Sequence, residues 1–424
     1  MTAPALAPGA RLCFVADGRS PISRNWIGYF VARGFEVHLI STFPVDAAGM
    51  GLASAEVVPV AFARYAGASS GLSPAPAGAP AGMPAWARRL RTRAVGALFP
   101  TVFGWLAPPE VARHAARVRA LVDRVDPVLV HAMRIPFEGV VAARALEGSS
   151  RPLVVSVWGN DLELWASRYP LVSRATRRAL ARATALHPDC ARDLRLATRW
   201  GWNPSRPSVV LPGNGGVRAE RFHPGPPSAE LDRRLGIPEG APVVLNPRGF
   251  REYVRNEAFF AAIPRVLERH PHAVFVGVGM QGNPRAARWI AELGIGHAVR
   301  LTPLLTPDEI ASLFRRATLA VSPSQFDGTP NTLLEAMACG AFPVAGDIAS
   351  VREWIEDGRN GLLCDPADPA ALADAMSRGL RDEGLRRAAA QRNGALVAER
   401  AEFGGVMRRA EAFYARVAHA GSAR

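Results

Sequence analysis

Residues Ala317 to Asp347 read ATLAVSPSQFDGTPNTLLEAMACGAFPVAGD. An apolar run ends in a polar turn, Thr329 and Pro330 offer N-cap and first-turn chemistry, a short helix carries Glu335, Gly340 stops it, and a second apolar run begins at Phe342. Strand, helix and strand in so few residues form a βαβ unit, which requires a parallel sheet covered by helices.

The same rhythm extends in both directions. Upstream, strand-like runs are RLCFVAD from Arg11, EVHLIST from Glu36, AEVVPVAF from Ala55, PVLVHA from Pro127, PLVVSVWG from Pro152, ATALHP from Ala183 and PSVVLPG from Pro207. The alternation restarts with PVVLNPRG from Pro242 and continues through HAVFVGVG from His272, AVRLTPL from Ala298 and ATLAVSPS from Ala317 to FPVAGD from Phe342 and NGLLCD from Asn360. Between the halves, Leu211 to Glu230 concentrates Gly and Pro with little periodicity. This predicts an N-terminal domain over 1–212, a C-terminal domain over 213–400 and a terminal helical segment over 401–424.

Composition narrows the chemistry. The 424 residues carry 51 Lys and Arg against 37 Asp and Glu, a net charge of +14, and every one of the 51 is Arg. Lysine Schiff-base and P-loop mechanisms are thereby excluded, and any fixed active-site cation is a guanidinium. The Arg residues are dispersed, with no zinc-finger spacing and no basic region running into heptads, so nucleic acid is not the expected partner. Cys13, Cys190, Cys339 and Cys364 show no CxxC pattern and no His at ligand spacing, so they read as reduced core thiols, and no metal site is expected. No secretory signal is visible before Arg11 and no segment is both long and apolar enough to span a bilayer, which leads to a cytoplasmic expectation. Trp86 to Pro109 combines Arg88, Arg89, Arg91 and Arg93 with Trp86, Phe99, Phe103 and Trp105. That mixture suits either a peripheral contact with anionic membrane or a helix with a solvated Arg face.

Two motifs bear on ligand binding. Gly277, Gly279 and Gly282 form GxGxxG after a strand, yet no acid follows at the end of the next strand to hold a ribose, so a dinucleotide fingerprint is rejected. In the decisive stretch, Asp327 and Glu335 bracket a helix N-terminus whose free amides, those of Asn331 and Thr332, suit an anion or a hydroxylated ring. Glu335 lies among apolar neighbours, and a buried carboxylate requires an Arg or a ligand hydroxyl. A helix cap with a surface salt bridge is the plain alternative.

On these residues the chain resembles the retaining nucleotide-sugar glycosyltransferases of family 4, a family of GT-B fold: two Rossmann-like, doubly wound α/β domains facing a cleft. The family's EX7E element falls on Asp327 and Glu335, with Asp replacing the first Glu, and the match runs on through SVREWIEDGRNGLL to Leu363. The resemblance implies that Glu335 binds the nucleotide ribose and Asp327 the transferred sugar, with Gly328, Thr329, Asn331 and Thr332 lining the donor. NPRGFREYVRNEAFF matches the segment in which the family places an Arg and then a Lys on the donor diphosphate. Arg248 takes the first role, and Arg255, with Arg251 second, is the candidate for the missing Lys. Gly18 and Ser20 match the first loop, near the sugar and phosphates. SVWGNDL stands where many members read HG and an acid; Asp161 matches the acid and Trp158 replaces the His. His131, at the end of a strand, has two readings, an acceptor-side residue facing the cleft or a structural histidine.

The resemblance implies hexosyl transfer from a nucleotide diphosphate sugar to a glycan, lipid-linked or small-molecule hydroxyl, with retained anomeric configuration and neither cofactor nor metal. A GT-B nucleotide-sugar epimerase and a non-catalytic basic binding protein are the alternatives.

Overall fold

The structure is a computed structural model that describes residues 5–60, 109–251 and 253–422. The Arg88 to Arg93 stretch lies outside the described residues. The chain divides into two compact units, an N-terminal one of residues 1–215 and 407–424 and a C-terminal one of residues 216–406.

The N-terminal unit holds six strands, β1 (Arg11–Ala16), β2 (Glu36–Ser41), β3 (Ser54–Val57), β4 (Leu129–Ala132), β5 (Leu153–Val157) and β6 (Ala185–Pro188). They form one parallel sheet in the order β3-β2-β1-β4-β5-β6. Both faces of β1, β4, β5 and β6 are covered, which is why these strands read as continuous apolar runs, whereas edge strand β3 is only partly buried. Cys13 and Val15 face a core shared with the helices Ala115–Val125 and Val140–Ala145. On the opposite face Phe14 meets Phe30 of the helix Pro21–Ala32 at 5.8 Å and Tyr414 of the C-terminal helix at 6.4 Å. PSVVLPG, expected to be a strand, forms only an isolated bridge, Leu186 to Ser208. Pro207 and Pro212 have no amide to donate, and the segment accompanies edge strand β6 through single bonds such as Val209 N–H to the Leu186 carbonyl, 3.0 Å.

The C-terminal unit repeats the plan with β7 (Val243–Asn246), β8 (Val274–Gly277), β9 (Val299–Leu301), β10 (Leu319–Ser322), β11 (Phe342–Gly346) and β12 (Leu362–Cys364). All pairings are parallel, in the order β12-β11-β10-β7-β8-β9. Alternate residues of one strand enter two separate cores: Val243 and Leu245 pack on one face of the sheet, Val244 on the other.

In each unit the chain order reverses direction between neighbouring strands, β1/β4 in the first and β7/β10 in the second. Loops leaving the carboxyl ends of such strands diverge and open a crevice, where doubly wound sheets bind ligands. The GxGxxG glycines follow β8, away from this reversal point, which gives a structural reason for their failure as a dinucleotide fingerprint.

Candidate functional site

Two loops meet at the β7/β10 crevice. The first leaves β7 at Asn246 and runs to Arg255, and a buried amide pair pins it: Asn246 Nδ2 donates to Asn256 Oδ1 at 2.9 Å, and Asn256 Nδ2 donates to the Gly249 carbonyl at 2.8 Å. Asn246 Oδ1 accepts from the Arg248 amide at 3.1 Å, and Gly249 turns the chain at φ +61°. The second loop leaves β10 and is held by Ser350, whose buried hydroxyl donates to the Asp327 carbonyl at 2.7 Å.

Across the crevice Arg248 Nη2 donates to Asp327 Oδ2 at 2.5 Å and Nη1 to Thr332 Oγ1 at 3.2 Å. Asp327 Oδ1 also accepts from the Gly328 amide at 3.1 Å. Burial opposes the Arg248 charge, but the Asp327 carboxylate beside it, with Tyr253 and Glu335 contributing less, outweighs burial and raises its pKa, so the cation is permanent. Its Nε is buried with no partner among the described residues.

The helix Asn331–Ala338 begins one residue later than its sequence suggests. Pro330 is the N-cap and supplies no side-chain bond, whereas the Thr329 hydroxyl accepts from Trp354 Nε1 at 3.4 Å. The indole competes for the oxygen that would otherwise cap the helix. The first amides to bond the Pro330 carbonyl are those of Leu333 and Leu334, so Asn331 and Thr332 precede the intrahelical ladder. Asn331 Oδ1 is buried without a partner among the described residues. Glu335 is partly buried and forms no hydrogen bond with any described residue; burial pushes its pKa up to about 8 against the opposing charges of Arg248 and Arg221. A carboxyl group so placed is mostly protonated at neutral pH and is poised for a hydroxylated ligand.

Arg251 and Arg255 line one depression of about 220 Å³ together with Phe250, Val254, Asn256, Glu257 and Arg285. Arg251 Nη1 donates to the Phe250 carbonyl at 2.9 Å. Arg255 Nη1 meets Glu257 Oε1 at 3.2 Å while its buried Nε has no partner among the described residues. Arg285, which sequence reading did not single out, stacks 5.1 Å from the Trp289 ring and makes the third guanidinium of this wall. Its only sequence signal is its place in the first turn of the helix Pro284–Glu292, after the rejected glycine motif.

The remaining candidates belong to the N-terminal unit. Gly18 follows β1 and donates its amide to Ser41 Oγ at 3.2 Å; a Cβ there would lie 3.0 Å from that oxygen, so the position demands glycine. Ser20 is the N-cap of the helix Pro21–Ala32 without a side-chain bond. Asp161 sits on a π-helical turn, fully buried, accepting from Arg134 Nε at 2.9 Å and from the Trp158 amide at 3.0 Å; burial raises its pKa.

Of the two readings of His131, the structure has the structural one and not the acceptor-side one: it is a core residue with no exposed surface. Its Nε2 lies 2.8 Å from Ser156 Oγ, and its Nδ1 bonds the Tyr414 hydroxyl. Ser156 Oγ lies 2.9 Å from His187 Nδ1, and His187 Nε2 donates to the Leu211 carbonyl at 3.1 Å. That carbonyl can only accept, which fixes the direction of the series: Trp26 Nε1–H to Tyr414, Tyr414 to His131, His131 to Ser156, Ser156 to His187. Both imidazoles are neutral, and burial lowers both pKa values, that of His187 to about 4. A strand-end His beside alternating apolar residues satisfies its nitrogens inside the fold.

The four thiols are free, and burial raises every one, those of Cys13, Cys339 and Cys364 to about 12. Asp189, Cys190 and Asp193 approach within 4.8 Å of one another, a grouping the cysteine spacing did not reveal. Its local cation is Arg192, whose Nη2 lies 2.6 Å from Asp193 Oδ1.

The chain is similar to known proteins over both halves. Residues 18–213 match the model of a glycosyl transferase 4-like domain, and residues 240–382 match that of the glycosyl transferases group 1. A D-inositol 3-phosphate glycosyltransferase of Acidothermus cellulolyticus is 34% identical over 203 residues, 45% of this chain and 44% of that protein. One of Geodermatophilus obscurus is 32% identical over 227 residues, 51% of this chain and 50% of that protein. The chain thus spans about half the length of the curated relatives it matches. Among solved structures, sucrose-phosphate synthase of Thermosynechococcus elongatus superposes with a TM-score of 0.73 at 16% identity, covering 97% of this chain and 100% of that one. Anabaena HepE in complex with UDP-glucose gives 0.69 at 17% identity, covering 98% and 100%. These likenesses establish the fold as GT-B. With both halves matched, the chain belongs to the group 1 glycosyl transferases of the family 4 type.

Proposed function

We propose that the protein transfers a hexosyl unit from a nucleotide diphosphate sugar to an acceptor hydroxyl with retention of anomeric configuration. The observation that carries this reading is the crevice at β7/β10, where a permanently charged Arg248 is fixed by Asp327 beside a Glu335 with no hydrogen-bond partner among the described residues. Arg248 supplies fixed positive charge for a diphosphate, and Arg255 stands where the family uses Lys. Two guanidiniums suit a departing diphosphate because each presents paired donors to phosphate oxygens. Glu335 accepts the ribose hydroxyls, and Asp327 holds Arg248 in register while facing the transferred sugar. Gly328 and the leading amides of Asn331 and Thr332 complete the donor wall. Gly18 and Ser20, after β1, approach the sugar and phosphates, and Asp161 stiffens the acceptor side through Arg134.

In this mechanism the diphosphate leaves from the face that the acceptor enters and takes the acceptor proton, so the protein needs no nucleophile. Neither cofactor nor metal is required, because guanidinium charge neutralises the leaving group. The named relatives act on D-inositol 3-phosphate and on sucrose phosphate chemistry, and HepE was captured with UDP-glucose, which makes uridine donors the first to test. The reading is tested by thermal stabilisation with UDP-, GDP- and ADP-sugars, followed by turnover with the donor that stabilises. Stabilisation by none of the three classes would falsify it.

A further inference from the structure

The net charge is not shared between the two units. The N-terminal unit contains 29 Arg and 14 Asp and Glu, a balance of +15, whereas the C-terminal unit contains 22 Arg and 23 acids, a balance of −1. The excess is concentrated where two helices flank β6. Between residues 164 and 206 there are nine Arg and two acids, Asp189 and Asp193, and both acids are buried. The helix Pro170–Arg182 exposes Arg174, Arg177 and Arg178, and the helix Ala191–Arg199 exposes Arg195 and Arg199. Arg174 and Arg178 are an i,i+4 pair, like charges one turn apart, an arrangement that destabilises an isolated helix.

The two helices form one surface, because the Arg177 guanidinium lies 4.7 Å above the ring of Trp200, which follows the second helix. Trp165, Tyr169 and Trp200 are only partly buried within the same segment. Guanidiniums mixed with Trp and Tyr match the headgroup region of a bilayer, where amphipathic rings settle and acidic lipids attract cations. No helix among the described residues is long and apolar enough to cross a membrane, so the contact is peripheral. We infer that the face built by the helices Pro170–Arg182 and Ala191–Arg199 docks the protein on a bilayer rich in acidic phospholipid. This surface is distinct from the β7/β10 crevice and does not depend on the donor reading.

The test is co-sedimentation of the full chain, without nucleotide sugar, with phosphatidylcholine vesicles containing about 30% phosphatidylglycerol, with pure phosphatidylcholine vesicles, and in competition with a short duplex DNA. Each guanidinium near an anionic surface contributes about fivefold to partitioning. The combined variant Arg174→Glu, Arg178→Glu, Arg199→Glu, which removes three guanidiniums and adds three repulsive charges, is therefore expected to bind the acidic vesicles at least about one hundredfold more weakly, with an unchanged melting temperature. The matched reversal of Arg288, Arg387 and Arg392 on the C-terminal unit is expected to bind normally. The milder Arg174→Gln, Arg178→Gln, Arg199→Gln variant repeats the test should the Glu variant fold poorly. Failure to bind acidic vesicles, equal binding to neutral ones, displacement by duplex DNA in preference to lipid, or loss only in the C-terminal variant overturns the proposal.

Discussion

Arg248 donates to Asp327 at 2.5 Å, joining residues 79 positions apart that leave the neighbouring strands β7 and β10. The pair sits at the one place in this sheet where the chain reverses its winding, so the ligand crevice has a fixed cation before any ligand arrives. Removing either partner leaves the other charge uncompensated. Arg248→Ala is expected to abolish donor stabilisation. Asp327→Asn, which keeps the shape and removes the charge, is expected to lower turnover by at least about a hundredfold, with a smaller change in donor affinity. Steady-state kinetics of the two variants check this; wild-type turnover in Asp327→Asn would show that the carboxylate only supports the fold.

Glu335 sets a stability against function. Its folded pKa, about 8, stands above the ordinary Glu value of 4.5, so the ionised form is disfavoured in the fold and stability is lost as pH rises from about 4.5 through 8. Glu335→Gln is therefore expected to raise the melting temperature at pH 8 to 9, to leave it unchanged near pH 4, and to weaken donor binding at least about tenfold. Thermal melts across pH with and without donor measure all three. A Gln variant less stable than wild type at pH 9 would contradict the assignment of Glu335 as a carboxyl group left for a ligand.

The histidine series gives the opposite dependence. His131 and His187 are neutral in the fold with pKa values below the usual 6.5, so their contribution is complete above about 6.5 and declines as pH falls toward 4. Tyr414→Phe removes the donor to His131 Nδ1 and the acceptor for Trp26 Nε1, and a loss of about 1 to 3 kcal/mol is expected. Hydrogen exchange should show faster opening of the C-terminal helix from Met407 onward in this variant. Uniform destabilisation without that local opening would mean the hydroxyl does not anchor the helix.

Among the cationic wall residues, Arg255 and Arg251 compete for the position occupied elsewhere by Lys. Arg251 already donates to the Phe250 carbonyl, whereas the Arg255 Nε is buried without a partner among the described residues. Arg255→Ala is expected to weaken nucleoside diphosphate binding by more than about tenfold, with a smaller loss for Arg251→Ala. Calorimetric titration with UDP, GDP and ADP ranks them; the reverse order reassigns the role to Arg251.

Much of this was legible in the residues. Buried parallel strands require continuous apolar runs, and every β-strand from Arg11 to Cys364 coincides with such a run. The sequence expectation exceeded the observed strands only at PSVVLPG, where two prolines remove the donors that a ladder needs. Local signals failed where a distant partner decided the outcome. Trp354 draws the Thr329 hydroxyl away from the cap, and Tyr414 takes up His131 from 283 residues away. Arg285 joined the cationic wall through stacking on Trp289 and Phe250, for which no spacing rule exists. The Arg excess looked dispersed along the chain because only the division into units separates +15 from −1.

The central claim is that the β7/β10 crevice binds a nucleotide diphosphate sugar through Arg248 and Glu335. Its most direct measurement is the melting temperature of the wild type, Arg248→Ala and Glu335→Ala proteins with saturating UDP-, GDP- and ADP-sugars. The account predicts stabilisation of the wild type by one donor class and none in either variant. Equal stabilisation of all three proteins would contradict it.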